Sequence, residues 1–402
     1  MAGQPPRTGG CSAIAGAGSS TYTVSSSDVG HSLVAVVTAT NGGGSSSTSV
    51  SGLCAVGENN SLNESDIAPP PAVAAGCSPI SAVAASSAAG EKFCSNAFVT
   101  CGFPDPLTGD VGVPAGTSLT TVSSGCDCLP SGVSWSAGTL EIGGDNVTLK
   151  DVYVPGNILI SGSGDTVTDS VVTTGICTPT CSNSEAIEAL STAQNTQITY
   201  DTLYGGTGGT VHNGSNEPML ADHVYSYGTC GGQLGWGDVE NSYFITDIVI
   251  TDANGEGTCH TEPAYVNGGF ATNWPASPWG GACPGTCSSS SDSYTNYQHD
   301  VLLNPQGQTA AIFLDNHAFG QTGNNNITVN GSFLAGGGYV IYGDNDGDTS
   351  SNIQVTNNRW SSMYYPHGGH YGSCSWNDAA TTLTTNQWDD TLTPLTLACL
   401  AD

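Results

Sequence analysis

The chain has almost no basic side chains. Only four of its 402 residues are lysine or arginine, against 34 aspartates and glutamates, so the formal net charge is −30. Nucleic acids and anionic lipids are both bound through clustered Lys and Arg side chains. The composition therefore excludes nucleic acid and the membrane surface as partners. A polyanionic ligand would also be repelled unless bound cations intervened.

Charged residues of both signs are scarce. They make up 9% of the chain, whereas about 25% is usual. Helix-forming stretches are rare too, and only Ser184–Gln194 is a candidate for a short helix. The 55 glycines and the frequent Ser, Thr and Asn favour turns and short strands. No apolar run is long enough to span a membrane and no dinucleotide fingerprint occurs, so we expect neither membrane insertion nor an organic cofactor.

Zinc-binding CxxC pairs are absent, although the chain has 15 cysteines. Cys126 and Cys128 are too close together for a usual zinc knuckle. The spacings Cys177/Cys181 and Cys283/Cys287 predict loop disulfides, which form in oxidising compartments. We therefore expect a secreted, extracellular protein. No export signal is visible after Met1, so we expect it to lie outside this sequence.

The N-terminal part of the chain has its own pattern. Ser19–Ser47 alternates apolar and polar residues, which is typical of half-buried antiparallel strands. This pattern resembles the back half of bacterial immunoglobulin-like repeats, so we expect a truncated module of that kind over residues 1–52. Residues 53–93 are rich in Pro, Ala and Ser and predict a linker and the start of a cap. The remaining region is residues 94–402.

A sequence period runs through residues 94–402. A motif of Asn or Asp, an alternating apolar run and small polar residues recurs, with apolar markers at Val147, Val167, Ile198, Val224, Val301, Ile327 and Ile353. The last three markers follow one another at steps of 26 residues. Such a period suits one coil of three short strands, which buries its apolar face by stacking on the next coil. The sequence therefore predicts an all-β fold, a right-handed parallel β-helix.

Four stretches of the chain support this fold by resemblance. Cys101–Thr120, Glu240–Gly269, Ala310–Gly343 and Val355–Gly369 resemble segments of secreted actinobacterial β-helix proteins of the pectate-lyase-like superfamily. The resemblance covers most of residues 94–390. It implies a parallel β-helix with a carbohydrate-active role, and it leaves the reaction open because a fold does not determine a function.

The period also places candidate binding residues. Counted from the markers, Phe313, Tyr342 and Tyr365 should lie on stacked strands of one sheet. Aromatic rings and imidazoles along such a face offer stacking surfaces and hydrogen bonds to a sugar chain. The residues that we expect to bind a polysaccharide are Tyr265, His317, Tyr342, Trp360, Tyr365 and His367.

A pair of carboxylates is the expected catalytic group. Glu262 precedes the stacked strands by one rung and Asp315 lies two residues after Phe313, so rung counting brings the two acids onto one face. Glycoside hydrolases need two carboxylates about 5 to 9.5 Å apart, which neighbouring rungs can supply. His260 is close enough in sequence to tune the pKa of Glu262. The sequence thus predicts paired-carboxylate hydrolysis of a polysaccharide.

Two other functions remain open. A calcium-assisted polysaccharide lyase could use His260 or Tyr342 as its base, although lyases usually employ Lys or Arg and only Lys150 and Arg359 are available within the predicted β-helix. A non-catalytic adhesive or structural surface β-helix is the third hypothesis. The irregular Asn, Tyr and Asp rungs argue against the regular Thr ladders of an ice-binding face.

An acidic loop predicts a calcium site. Asp344, Asp346 and Asp348 alternate as calcium ligands do, although the Glu of an EF-hand at position 12 is absent. If calcium relieves the repulsion among these carboxylates, a chelator should lower the melting temperature, and Asp346→Ala should remove most of that effect. Thermal unfolding with and without chelator measures both, and a chelator-independent melting temperature would leave only a solvated acidic turn.

Overall fold

A computed structural model describes most of residues 94–395 and two strands before them. The described residues are 32–41, 44–55, 94, 98–123, 126, 128–174, 185–206, 210–213, 219–229, 231–234, 237–247, 261–267, 294–315, 325–343, 351–375 and 381–395. The chain divides into two compact units, Met1–Ala88 and Ala89–Asp402. Residues 56–93 of the predicted linker and the predicted loop disulfides Cys177/Cys181 and Cys283/Cys287 lie outside the described residues.

The N-terminal unit contains one antiparallel strand pair. Strand β1 (Ser32–Asn41) pairs with β2 (Gly44–Ala55). Antiparallel pairing is what the alternating pattern predicted, and β2 continues beyond the expected end of the module at residue 52. Membership of an immunoglobulin-like family stays a prediction.

The second unit is a right-handed parallel β-helix of three long sheets. Sheet 1 contains β4 (Val133–Ser136), β5 (Thr139–Ile142), β8 (Asn157–Ile160), β11 (Ile187–Ala189), β14 (Val211–Asn213), β17 (Gln233–Leu234), β20 (Ala264–Asn267), β23 (Ala310–Asp315), β26 (Tyr339–Gly343) and β29 (Gly372–Ser375). Its strands pair in parallel except for β4 and β5, which form an antiparallel edge. This arrangement confirms the fold predicted from the period.

The other two sheets complete each coil. Sheet 2 contains β6 (Thr148–Lys150), β9 (Thr166–Thr168), β12 (Thr196–Thr199), β15 (Met219–Asp222), β18 (Gly237–Glu240), β21 (Thr295–Gln298), β24 (Asn325–Asn330), β27 (Ser351–Thr356) and β30 (Thr381–Thr384). Sheet 3 contains β3 (Thr120–Thr121), β7 (Val152–Val154), β10 (Val171–Thr173), β13 (Thr202–Tyr204), β16 (Tyr225–Tyr227), β19 (Tyr243–Ile245), β22 (Val301–Asn304), β25 (Phe333–Gly336), β28 (Arg359–Ser361) and β31 (Gln387–Trp388).

One helix expectation is wrong. Within Ser184–Gln194, residues Ile187–Ala189 form strand β11, which pairs in parallel with β8 and β14. Ile187 and Ala189 are fully buried and Glu188 between them is not, as expected of a strand on a core. In the described residues the only helical element is a short 3-10 turn, Phe98–Cys101. Tertiary pairing has overridden local helix propensity here.

The register confirms part of the marker assignment. Ile198 pairs with Val167, and Ile327 pairs with Ile353, both in parallel within sheet 2. Val301, by contrast, belongs to sheet 3, where it pairs with Phe333. Val224 lies in the turn after β15 rather than on the rung of Ile198, whose partner is Ala221. Each coil has an apolar strand in sheet 2 followed by another in sheet 3. The short sequence motif could therefore match either strand.

The turn between sheets 2 and 3 repeats in every coil. Its first residue has positive φ, as in Asp169, Asn241 and Asn357, and is mostly polar. Asn and Asp tolerate this left-handed conformation better than most side chains do. The Asn and Asp residues of the repeated motif therefore have a direct backbone role.

The next residue of this turn forms a buried polar ladder. Its side-chain oxygen accepts a hydrogen bond from the backbone N–H of the equivalent residue one coil earlier. The ladder contacts are Asp201 Oδ1 with Ser170 N at 2.7 Å, Asp300 Oδ1 with Ser242 N at 2.8 Å, Asn358 Oδ1 with Ser332 N at 2.8 Å and Asn386 Oδ1 with Asn358 N at 3.0 Å. The amides of Asn358 and Asn386 also donate to strand carbonyls, those of Val329 and Val355. The ladder thus fixes the register of successive coils.

A covering segment, residues 98–113, packs on the outer face of sheet 3. Phe98 makes edge contacts with Phe333 and Tyr243, with ring centroids 4.9 and 5.6 Å apart. At the other end of the segment, Val113 N donates to Thr202 Oγ1 at 3.0 Å. Strands β22 and β25 of sheet 3 are consequently buried on both faces, which explains their nearly continuous apolar sequences.

Five described cysteines are disulfide-bonded. Cys94 bonds to Cys101 beside the covering segment, and Cys126 bonds to Cys128. Cys374 in β29 is also disulfide-bonded. The cysteines thus act as covalent cross-links, as the composition indicated.

The acids in the ladder predict a pH-dependent stability. Burial raises the pKa of the Asp201 and Asp300 carboxyl groups well above the ordinary value. The stability that they contribute is complete below the carboxyl pKa of the unfolded chain and is lost as the pH rises toward the folded value. Asp201→Asn and Asp300→Asn should each raise stability at about pH 7 by about 1–3 kcal/mol, with little change at about pH 3.

Thermal unfolding followed by circular dichroism across this pH range measures the effect. The matched reverse change, Asn358→Asp, should lower stability at neutral pH and not in acid. Identical melting temperatures of the Asn variants and the parent protein at neutral pH would contradict this account of the ladder.

Candidate functional site

The outer face of sheet 1 carries one in-register column of side-chain positions. Successive coils contribute Glu141, Leu159, Glu188, His212, Leu234, Tyr265, Phe313, Tyr342 and Ser375. Their strand neighbours, such as Ile187 and Ala189, point into the core and are fully buried. Because stacked strands are about 4.8 Å apart, the column is a continuous strip running along the helix axis.

Aromatic rings occupy one half of this strip. We call Tyr265, Phe313, Tyr339, Tyr342 and Tyr371 the aromatic stripe. The ring centroids of Phe313 and Tyr342 are 5.2 Å apart with the planes within 10°, and Tyr265 lies 5.3 Å from Phe313. Tyr339 extends the stripe to Tyr371, which is 65% exposed. The stripe thus extends over four neighbouring coils.

Glu185, Glu188 and His212 occupy the other half, and we call them the Glu–His cluster. Glu188 and His212 pair in register across β11 and β14, and Glu185 lies just before β11. His212 Nδ1 is 3.8 Å from an oxygen of each glutamate. The three side chains therefore meet at one point of the face, two rungs before Tyr265.

Burial sets the protonation of this cluster. It raises the pKa of the Glu188 carboxyl, and the negative charge of Glu185 raises that pKa further. Burial also lowers the pKa of His212, while the charge of Glu185 opposes this shift. The imidazole is therefore neutral near pH 7, and its contacts with the glutamates are not salt bridges. Glu188 is the carboxyl of the pair that retains a proton more readily than usual.

The cluster is also the set of described residues that could hold a divalent cation. One ligand atom from each of Glu185, Glu188 and His212 lies within 4.8 Å of the others. Carboxylate oxygen and imidazole nitrogen are ligands of zinc. The predicted calcium ligands Asp344, Asp346 and Asp348 lie outside the described residues, so that site stays a prediction.

A groove continues the face beyond the cluster. It has a volume of about 470 Å³ and is lined by residues of the first coils, among them Val133, Glu141, Leu159, Ser161 and Leu190. Leu159 is in register with both Glu141 and Glu188. The groove, the cluster and the stripe thus lie in sequence along sheet 1.

The structure does not bring together the two carboxylates that the sequence analysis paired. Asp315 pairs with Asn267 at the end of β23, whereas Glu262 lies two residues before Ala264, the partner of Ile312. Five positions along the strand separate the two acids, roughly 16 Å at 3.3 Å per residue. Glu262 is also buried, with 5% of its surface exposed. Rung counting fixes the coil on which a residue lies, but not its position along the strand.

The predicted binding residues have three different placements. Tyr265 and Tyr342 lie on the aromatic stripe, and the stacking of Phe313 with Tyr342 is as predicted. Tyr365 was expected on the next strand but lies in the loop after β28, since the partner of Tyr342 is Ser375. Its hydroxyl donates to Pro305 O at 3.0 Å.

The remaining predicted residues do not join the strip. His367 is exposed in the same loop, where its carbonyl accepts a hydrogen bond from Ser373 Oγ. Trp360 is fully buried in the core, so a sugar cannot stack on it. His260 and His317 lie outside the described residues.

Sequence reasoning missed the Glu–His cluster. The signal was an outward polar residue between two buried ones, Glu188 in IEA and His212 in VHN, followed by a similar alternation in later coils. The two triplets can lie on successive coils only if some of the residues between them form loops inserted into the coil. Their common column could not be recognised without the register.

Comparisons with known proteins add no relatives. No family model matches the chain, no curated protein matches it, and no solved structure matches it. Membership of the pectate-lyase-like superfamily thus stays a prediction, while the parallel β-helix that the resemblance implied is present. Among the described residues, no helix has the length and apolar character needed to cross a membrane.

Proposed function

We propose that this protein is an extracellular polysaccharide hydrolase that binds its substrate along the outer face of sheet 1. The observation that carries the proposal is the shared register column of the aromatic stripe and the Glu–His cluster. A binding surface and a carboxylate pair on one straight strip suit a long, linear substrate.

The aromatic stripe supplies the binding surface. Tyrosine and phenylalanine rings offer flat apolar area at a low cost in side-chain entropy, and tyrosine adds a hydroxyl for hydrogen bonds. The nearly parallel, partly exposed rings of Tyr339 and Tyr342 provide such an area, and Phe313, which is only 6% exposed, stacks against Tyr342 and supports it. Sugar rings present apolar C–H faces that stack on it.

The Glu–His cluster supplies the chemistry. The glutamate oxygens lie within 4.8 Å of each other, close to the separation of about 5–5.5 Å found in retaining glycosidases. Glu188, with its raised pKa, donates a proton to the glycosidic oxygen as the C–O bond breaks, and the Glu185 carboxylate forms a bond to the anomeric carbon. A water molecule then gives its proton to Glu188 and its oxygen to that carbon, which releases Glu185.

Neutral His212 positions the pair. Its Nδ1 atom faces an oxygen of both glutamates at 3.8 Å, and the ring fills the space beside them. The alternative lyase reaction has less support on this face, because the described strands of sheet 1 contain no Lys or Arg that could act as base or neutralise a uronate.

The carboxylate pair generates a test by substitution. Glu188→Gln and Glu185→Gln should each lower turnover by about 10²–10⁴-fold while leaving the melting temperature near that of the parent protein. Glu240→Gln, the same change in sheet 2, is the matched control and should retain activity. Release of reducing ends from a polysaccharide panel measures turnover. Full activity in both cluster variants would exclude this pair as the catalytic group.

The aromatic stripe generates a separate test of binding. Tyr342→Ala and Tyr371→Ala should each weaken polysaccharide binding by about three- to tenfold, the loss expected for one stacked ring. Tyr200→Ala serves as the control, because Tyr200 is a partly exposed tyrosine in a turn between sheets 2 and 3. Isothermal titration calorimetry gives the affinities. Equal affinities in all three variants and the parent protein would place the binding surface elsewhere.

A further inference from the structure

The charges on sheet 1 are of one sign. Its strands contain Glu141, Glu188 and Asp315 but no Lys or Arg, and Glu185 directly precedes β11. Glu141 is exposed at the groove, one coil before Leu159 and two before Glu188. The groove and the Glu–His cluster therefore form an acidic half of the strip, next to the aromatic half.

The two basic residues that the structure describes do not offset this charge. Lys150 is in sheet 2, where its Nζ lies 3.0 Å from Asp169. Arg359 is in sheet 3, beside Asp389 at 3.7 Å. Arg7 and Lys92 lie outside the described residues. Both described cations are thus paired with acids on other faces of the helix.

This distribution discriminates among polysaccharides. A uronic acid polymer carries a carboxylate on each sugar and would meet like charges at Glu141 and the cluster, while both basic residues that the structure describes lie on other sheets. An amino sugar polymer carries ammonium groups, which carboxylates attract. The rings of the aromatic stripe attract ammonium groups too, through cation–π interactions of about 0.5–1 kcal/mol each at exposed sites.

From the acidic half and the aromatic half together, we infer that the substrate is a linear polysaccharide of amino sugars with free ammonium groups. This inference rests on the proposed function of sheet 1 and adds the chemical class of its ligand. In the groove, the Glu141 carboxylate attracts the ammonium groups of the substrate, and the aromatic stripe stacks on its sugar rings. The formal charge of −30 also increases the local concentration of a polycation.

Three hexasaccharides serve as probes at about pH 5, where amines are protonated. Glucosamine and N-acetylglucosamine hexamers have the same backbone and differ only in the charged group, and a galacturonic acid hexamer is the anionic probe. Calorimetry at low salt should give at least tenfold tighter binding of the glucosamine hexamer than of its acetylated partner, and no binding of the uronate. At about 0.5 M salt this preference should shrink to about twofold.

Variants separate charge from stacking. Glu141→Gln should reduce the preference for the glucosamine hexamer and leave affinity for the acetylated hexamer unchanged. Tyr342→Ala should weaken both hexamers by a similar factor. The uncleavable Glu188→Gln background keeps the ligands intact during titration and is used for every comparison.

The outcomes distinguish this inference from the proposed function. If the acetylated hexamer binds as tightly as the charged one, or if the uronate binds best, the amino sugar assignment is overturned while binding along sheet 1 stands. If neither amino sugar hexamer nor the uronate binds and no polysaccharide is cleaved, both fail. A salt-sensitive preference that disappears in Glu141→Gln supports the inference.

Discussion

The structure depends on the in-register stacking of parallel coils. Strands about 4.8 Å apart allow each backbone group to pair with the coils before and after it, and they place equivalent residues directly above one another. The buried ladder keeps this register, since each of its side chains hydrogen bonds to the backbone of the preceding coil. A slip of one residue would turn the apolar face of every strand outward.

The same stacking explains why a site can form from residues far apart in sequence. Glu188 and Tyr342 are separated by more than 150 residues, yet both belong to one column of sheet 1. A strip of this kind is an open surface that runs along the helix axis and repeats with each coil, and it does not enclose a ligand. It favours extended ligands with a repeating structure over small molecules, which need an enclosing pocket.

The fold was predictable because it is encoded locally and repeatedly. Alternating apolar runs, Asn or Asp at positive-φ turns and a period near 26 residues all appear in the sequence, and Ile327 and Ile353 pair as the period requires. The site was less predictable because insertions vary in length. They separate Glu188 from its partners along the chain and hide the register, and the sequence gives no position along a strand for Glu262 or Asp315.

Local propensity also failed where pairing decided the outcome. The stretch around Glu188 has the composition of a short helix, yet β8 and β14 on either side hold it as a strand. Trp360 illustrates the converse, because an aromatic residue in a polar motif looked like a sugar platform and is a core residue. Successive side chains of a strand point alternately into the core and outward. Whether a given side chain is buried therefore depends on the register of its strand.

The covering segment has a consequence for the order of folding. The coils form from neighbours in sequence, so they can assemble progressively from either end. The backbone N–H of Cys94, however, donates to Asp389 Oδ1 at 3.0 Å, a contact between residues 295 positions apart. Contacts of high sequence separation form late and slowly. Cys94 can therefore take its native position only after the last coil has formed, and until the covering segment docks, the outer apolar face of sheet 3 is exposed to solvent and to other chains.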